Sequence, residues 1–214
     1  MGIIARQSFF NSISIALAFL IGAINTVFFY PKFMGSEYQG LIVTLLALSN
    51  LIQPFISFGV QHALIKFYPT CKTKEEQDRL LSLSITLPLI MFLSFLTISL
   101  FFKAEIISFI ASKNTAIGKY AFLIIAVAFS TAMFEIFYNW LRIQLYSVFG
   151  NFLKEFFPRA LIFFLLVIYA FDGLSLDSFI SALIVGYYLR LILVIFYALI
   201  KYKPKFSFTL PKEF

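Results

Sequence analysis

Two ionisable side chains stand inside long apolar segments of this sequence, where charge is rare. Arg190 lies near the middle of the run 178–200, and Glu135 lies within the run 120–141. A charged side chain at the centre of a bilayer costs about 2.5–3.5 kcal/mol on insertion scales, so such residues usually face a bundle interior or a watery cavity. Arginine binds phosphate oxygens through paired hydrogen bonds, and a buried glutamate can exchange a proton. We therefore expect Arg190 to bind an anionic group and Glu135 to couple to an ion gradient, the alternative being a static Arg190–Glu135 ion pair.

Polar and small side chains also recur at three- and four-residue spacing in four apolar runs, which places each set on one helix face. The sets are Asn11, Ser14, Ala18, Gly22 and Asn25; Asn50, Gln53, Ser57 and Gln61; Ala128, Thr131, Glu135, Asn139 and Arg142; and Tyr187, Arg190 and Tyr197. Such stripes can simply join helices, and for the first set packing alone is an equal alternative. The second set is richer in carboxamides and indicates a wet cavity. The predicted substrate contacts are Arg190, Asn50, Gln53, Asn25 and Tyr187.

Motifs for covalent or metal chemistry are missing from the sequence. With one cysteine, Cys71, and one histidine, His62, the chain cannot supply a zinc cluster or a disulfide of its own. No G-x-x-x-x-G-K-[ST], G-x-S-x-G, H-E-x-x-H or G-x-G-x-x-G pattern occurs. We expect no enzyme activity, no cofactor and no metal, and we interpret His62 as a bystander.

The elements that position these side chains are predicted to be membrane-spanning helices. The chain is 61% hydrophobic and 13% charged, far more apolar than a soluble domain. Crossing the ~30 Å hydrocarbon core takes about 20 helical residues. Six runs satisfy this and predict an all-α fold of one six-helix lobe over residues 1–214: about 8–30, 38–65, 80–102, 120–141, 153–172 and 178–200, with a cytoplasmic tail 201–214. The segment Ile143 to Phe157 is interpreted as an amphipathic helix along the inner interface.

Orientation follows from the short connections, because cytoplasmic loops retain lysine and arginine. The inner side would hold twelve: Arg6, Lys66, Lys72, Lys74, Arg79, Arg142, Lys154, Arg159, Lys201, Lys203, Lys205 and Lys212. The outer side would hold Lys32, Lys103, Lys113 and Lys119, which leaves Arg190 inside the bilayer. This bias predicts a multi-pass protein of the cytoplasmic membrane with both termini in the cytoplasm. The net charge of +7 then reports orientation, and no nucleic-acid partner is expected.

Two stretches resemble a known family. YPKFMGSEYQGL at residues 30–41 and FGVQHALIKFY at residues 58–68 are similar to the first hairpin of bacterial polysaccharide biosynthesis proteins. These are O-antigen-type flippases of the multidrug/oligosaccharidyl-lipid/polysaccharide exporter superfamily. As in that family, Gly35, Glu37 and Gly40 precede the second span, and Gly59 followed by a basic-aromatic end closes it. The likeness is strongest over residues 30–80.

The resemblance implies a fold, a substrate and a partner. Members of the superfamily have two six-helix lobes around a central cavity, so this chain would be the N-terminal half of a transporter or a fragment of one. The implied activity is flipping of a polyprenyl-pyrophosphate-linked oligosaccharide, driven by an ion gradient, with membrane lipid and a second lobe or second copy as partners. Two alternatives remain open: a multidrug/cation antiporter of the same superfamily, and a six-span substrate-binding subunit of an importer.

Overall fold

The computed structural model describes residues 2–113 and 115–205, and no strand occurs in that part of the chain. Ten α-helices are described there, some extended by π-helical or 3₁₀ turns. They are α1 (Ile3–Ile24), continued by the π-helical Asn25–Met34; α2 (Gly35–Ser57); α3 (Val60–Phe67), followed by a 3₁₀ turn (Tyr68–Thr70); α4 (Lys74–Phe101); α5 (Lys103–Lys113); α6 (Thr115–Gly118); α7 (Ala121–Ile143); α8 (Ser147–Asn151), continued by the π-helical Phe152–Phe156; α9 (Phe157–Ala170); and α10 (Leu176–Lys201). Most of the predicted tail, with Lys212, lies outside the described residues.

Local sequence explains where several helices begin and end. Gly35 has a φ of +76° and Gly59 a φ of +70°, backbone conformations that glycine adopts without the steric cost of a side chain. Gly35 separates the π-helical segment from α2, and Gly59 separates α2 from α3. Thr73 and Glu76 form a reciprocal capping box at the start of α4. The hydroxyl of Ser175 accepts a hydrogen bond from the Ser178 backbone N–H and caps α10.

Among the described residues, four helical stretches are long and apolar enough to cross a membrane: Ile4–Ser57, Lys74–Phe101, Ala121–Ile143 and Leu176–Lys201. The prediction of an all-helical fold with helices of membrane-spanning length is confirmed for this part of the chain. Ile4–Ser57 has 54 residues. At about 1.5 Å per residue its length would be about 80 Å, more than twice the hydrocarbon thickness. The backbone turn at Gly35 divides this stretch, but the number of crossings and their orientation stay predictions.

The fifth predicted span begins earlier than expected. The chain is helical without interruption from Ser147 through α8, the π-helical Phe152–Phe156 and α9 to Ala170. Most of the segment Ile143 to Phe157, which was predicted to be a separate interfacial helix, is therefore the first part of this continuous helix. The charged residues inside it, Lys154 and Glu155, hid its continuity from a hydropathy argument.

Helix α7 is the centre of the bundle. It packs against α2, α3, α4 and α10, and its large side chains Phe134, Trp140 and Leu141 are fully buried. Helix α1 lies instead along α8 and α9. Asn11 contacts Ser147, Asn25 contacts Arg159, and the rings of Phe29 and Phe163 are 5.0 Å apart. Residue numbers increase in the same direction on both sides of these contacts, so α1 runs parallel to the helix from Ser147 to Ala170.

Candidate functional site

A polar cavity of about 420 Å³ lies between α2, α3, α7 and the helix that starts at Ser147. It is near the ends of α3 and α7 that precede the connections to Lys74 and Ser147. Its lining consists of Gln53, Gln61, His62, Ile65, Glu135, Tyr138, Asn139, Arg142, Asn151, Lys154 and Glu155. We call these residues the polar cavity. Most of them carry a carboxamide or a charge, although the four helices around them are largely apolar.

Three carboxamides of the polar cavity are buried: Gln61, Asn139 and Asn151. Asn139 donates to the Glu135 carbonyl at 2.8 Å, and Asn151 donates to the Asn11 carbonyl at 3.4 Å. The side-chain oxygen of Gln61 is buried and accepts no hydrogen bond. A buried acceptor without a donor costs free energy, on the order of 1–3 kcal/mol. The wall of the cavity thus holds a buried acceptor whose hydrogen bond is not made within the described residues.

An ion pair forms one wall of the polar cavity. Lys154 Nζ lies 2.8 Å from Glu135 Oε1 and 3.1 Å from Oε2, and the Glu135 side chain is 18% exposed. The ammonium also lies 5.1 Å from the centre of the Tyr138 ring, within the range of a cation–π contact. Glu135 is therefore paired with Lys154. The static Arg190–Glu135 bridge considered from the sequence is not formed.

Arg190 lies outside the polar cavity, within the core between α7 and α10. Its guanidinium carbon is 4.2 Å from the centre of the Phe134 ring and 4.6 Å from that of Tyr187. Nη2 donates a long hydrogen bond of 3.4 Å to Thr131 Oγ1, and Nε has no partner. The two aromatic faces thus stabilise this cation, and the alternative in which the Glu135 carboxylate does so is not observed. Tyr197 was expected beside Arg190 but packs on Phe149, 4.7 Å between ring centres.

The other predicted site residues are dispersed. Gln53 lines the polar cavity and donates to Ser57 Oγ at 3.3 Å. Asn50 is exposed on α2 and does not line it. Asn25 is buried and donates to the Arg159 carbonyl at 2.9 Å, so it joins α1 to α9. The structure therefore brings Gln53 and Glu135 together, and it separates them from Arg190, Tyr187, Asn50 and Asn25.

Sequence reasoning missed the contribution of the helix from Ser147. Asn151, Lys154 and Glu155 line the polar cavity, although the segment was assigned to the membrane surface. Asn151, Glu155 and Arg159 follow four-residue spacing, and this pattern was the available signal. His62, interpreted as a bystander, also lines the cavity. The charges of Lys154 and Glu155 favoured a surface position for this segment, although its four-residue spacing indicated a helix face.

Lys154 and Arg159 are also not loop residues. Gly22 of α1 and Asn25 of the π-helical segment contact Arg159, and both lie well inside the helical stretch 3–34. Lys154 and Arg159 therefore lie on a packed helix of the bundle, although they had been counted in a cytoplasmic connection. The bias toward the inner side persists without them, since ten of the twelve inner residues remain against four outer ones.

An aromatic cluster holds the helix ends next to the polar cavity. Tyr202 donates to Asp78 at 2.6 Å, and the Trp140 ring contacts the rings of both Tyr202 and Tyr68, with centres 5.1 and 5.3 Å apart. Burial and the hydrogen bond to Asp78 raise the pKa of the Tyr202 hydroxyl above its usual value. The phenol thus keeps its proton at neutral pH and joins the end of α10 to the start of α4.

Comparisons with known proteins give no match for this chain. No family model fits the sequence, and neither a curated protein nor a solved structure is similar to it. Among the described residues, no group of three or more histidine, cysteine, aspartate or glutamate side chains could hold a metal ion.

Proposed function

We propose that this chain is a membrane transport lobe that moves a polyprenyl-pyrophosphate-linked oligosaccharide across the cytoplasmic membrane, as part of a larger two-lobed transporter. The observation that carries the proposal is the polar cavity, a set of carboxamides and charges enclosed by apolar helices. Buried polar side chains in a membrane protein mark substrate and ion pathways. The resemblance of residues 30–41 and 58–68 to flippases suggests which polar substrate this is.

The lining of the polar cavity is suited to a sugar. Its volume of about 420 Å³ is within the usual range of small-ligand sites, about 300–1,000 Å³. Carboxamides both donate and accept hydrogen bonds, as sugar hydroxyls do. Gln61 contributes a buried acceptor, and Asn139 and Asn151 place further amides nearby. A sugar residue entering here would exchange its hydrogen bonds with water for hydrogen bonds with protein.

The pairing of the charged groups in the polar cavity does not favour the multidrug/cation antiporter alternative. An exporter of cations is expected to present uncompensated carboxylates to its substrate. Here Glu135 is paired with Lys154, and Glu155 with Arg159 at 3.1 Å. Arg142 and the neutral amides make up much of the remaining lining. The balance therefore favours a neutral polar group, such as a sugar, over an organic cation.

Gln61→Leu is expected to block transport without unfolding the protein. The change removes the unsatisfied acceptor and fills part of the cavity with an apolar group. In cells that carry the full-length gene, we expect at least a tenfold loss of surface polysaccharide and accumulation of the lipid-linked oligosaccharide on the inner leaflet. Gln39→Leu, the same change near the start of α2, is the control and should export normally. Normal export by well-expressed Gln61→Leu protein would contradict the proposal.

The proposed lobe crosses the membrane six times with both termini in the cytoplasm, and reporter fusions test this. Fusions after Lys72 and Lys205 are expected to report the cytoplasm, and fusions after Ser36 and Asp172 the outside. A fusion after Asn114, which lies outside the described residues, should also report the outside. A cytoplasmic signal after Ser36 would mean that Ile4–Ser57 does not turn back at Gly35.

A further inference from the structure

Arg159 lies near the middle of the continuous helix from Ser147 to Ala170, and its side chain is partly exposed. Its carbonyl accepts a hydrogen bond from Asn25, and its Cδ lies only 3.0 Å from the position that a Cβ atom on Gly22 would take. Its side chain is 39% exposed, whereas Arg190 is 5% exposed between two rings. An exposed guanidinium at this depth is costly against hydrocarbon, so it is expected to face water or a partner group.

Part of the guanidinium of Arg159 is already engaged. Nη1 donates to the Glu155 carbonyl at 2.5 Å and to Glu155 Oε2 at 3.1 Å. Within residues 2–113 and 115–205, Nε and Nη2 make no hydrogen bond. Two donors of the planar fork are therefore available. This pair can hold two oxygens of one phosphate group at once, which a lysine could not do.

The open side of Arg159 faces a second cavity of about 290 Å³, lined by Phe19, Gly22, Ala23, Thr26 and Arg159. This cavity exists because Gly22 has no side chain and Ala23 has only a methyl group. Apart from the Thr26 hydroxyl, which donates to the Gly22 carbonyl at 2.9 Å, the walls supplied by α1 are apolar. The cavity thus combines one cation with hydrophobic walls at the depth of the bilayer, a combination suited to an amphiphile that carries an anion.

We propose that Arg159 and the Gly22–Ala23 notch of α1 form a binding site for the phosphate or pyrophosphate group of a membrane amphiphile. The site deepens the proposed function and rests on it for the identity of the natural ligand, since the carrier lipid bears such a group. It is distinct from the polar cavity. Glu155 connects the two, because it lines the polar cavity while its carboxylate holds Arg159.

Binding of farnesyl pyrophosphate to the purified full chain in detergent tests this site. Arg159→Gln is expected to weaken binding at least tenfold, and Arg159→Lys should lose less because it keeps the charge. Glu155→Gln should strengthen binding a few-fold, since it removes the carboxylate that competes with the ligand for the Arg159 guanidinium, while the bond from Nη1 to the backbone carbonyl remains. A purely structural role for Arg159 would not produce this opposite sign. Lys32→Gln, at the exposed end of the same helical stretch, is the matched control and should bind normally.

Ala23→Leu tests the same site without changing Arg159 or its ion pair. Ala23 is exposed on α1, so the Ala23→Leu protein should fold normally. The leucine side chain should cover the notch and reduce binding at least tenfold. Farnesol should not compete with farnesyl pyrophosphate. Competition by inorganic pyrophosphate at equal concentration would identify a free-phosphate site, whereas weak competition would identify a lipid site. Unchanged affinity in both Arg159→Gln and Ala23→Leu would overturn the proposal.

The two proposals fail separately. Arg159-dependent binding of farnesyl pyrophosphate together with normal export by Gln61→Leu would leave the phosphate site standing and refute the proposed function of the polar cavity. Loss of export in Gln61→Leu with unchanged binding in Arg159→Gln would do the reverse. The binding assay needs only this chain, and the export assay needs the complete cellular system.

Discussion

Lys154→Met lowers the stability of the protein, and adding Glu135→Gln restores most of the loss. The single change leaves the Glu135 carboxylate partly buried without its cation, and breaking a buried pair in this way costs about 3–5 kcal/mol. Lys154 is 36% exposed and Glu135 18%, so solvent screening brings the expected cost down to about 1–3 kcal/mol. The double variant removes both charges. Thermal unfolding in detergent, read as a double-mutant cycle, gives the coupling energy.

A second cycle provides the control for this ion pair. If Glu135 instead depended on Arg190, the pair Arg190→Met and Glu135→Gln would show the larger coupling. The structure predicts the opposite, because Lys154 is the residue within 3 Å of the carboxylate. Equal coupling in the two cycles would show that Glu135 is shared between both cations. A coupling below about 0.5 kcal/mol for Lys154 would contradict the observed pairing.

Arg190→Ala is expected to destabilise the protein by about 2–5 kcal/mol, the range for large-to-small changes in a core. The guanidinium is stacked between Phe134 and Tyr187, so alanine leaves a void between two rings. Arg190→Met fills most of that volume without a charge, and its effect should be much smaller. Replacing a buried charge by an apolar side chain of similar size is often neutral or stabilising.

The same variants test the role that the sequence assigned to Arg190. Arg190→Met protein that folds and still binds farnesyl pyrophosphate would place the anion site at Arg159. Loss of binding in Arg190→Met, with a normal unfolding temperature, would return that role to Arg190. The unfolding temperature and the affinity are measured on the same preparations, so a folding defect cannot be mistaken for a binding defect.

The sequence by itself determined the class of the protein. Apolar run lengths are a local property that can be read along the chain, and they correctly predicted an all-helical fold with helices long and apolar enough to cross a membrane. Gly35 marked a turn for a local reason as well, since a positive φ excludes most side chains, whereas Gly40, expected in the same turn, lies inside α2. The unusual depth of Arg190 and Glu135 was also visible, because it depends only on their distance from the run ends.

Only the tertiary structure decided which side chains meet. Gln53, Glu135 and Lys154 belong to three different helices, and whether they line one cavity depends on how those helices rotate and pack. Arg159 was counted in a cytoplasmic connection because hydropathy is averaged over a window of residues along the chain. Its place in the bundle depends instead on the helical stretch 3–34 that packs beside it. The surroundings of Arg190 were likewise decided by packing. Its charge predicted an anionic substrate group, which stays a prediction, and the neighbouring helix α7 supplies the ring of Phe134 against the guanidinium.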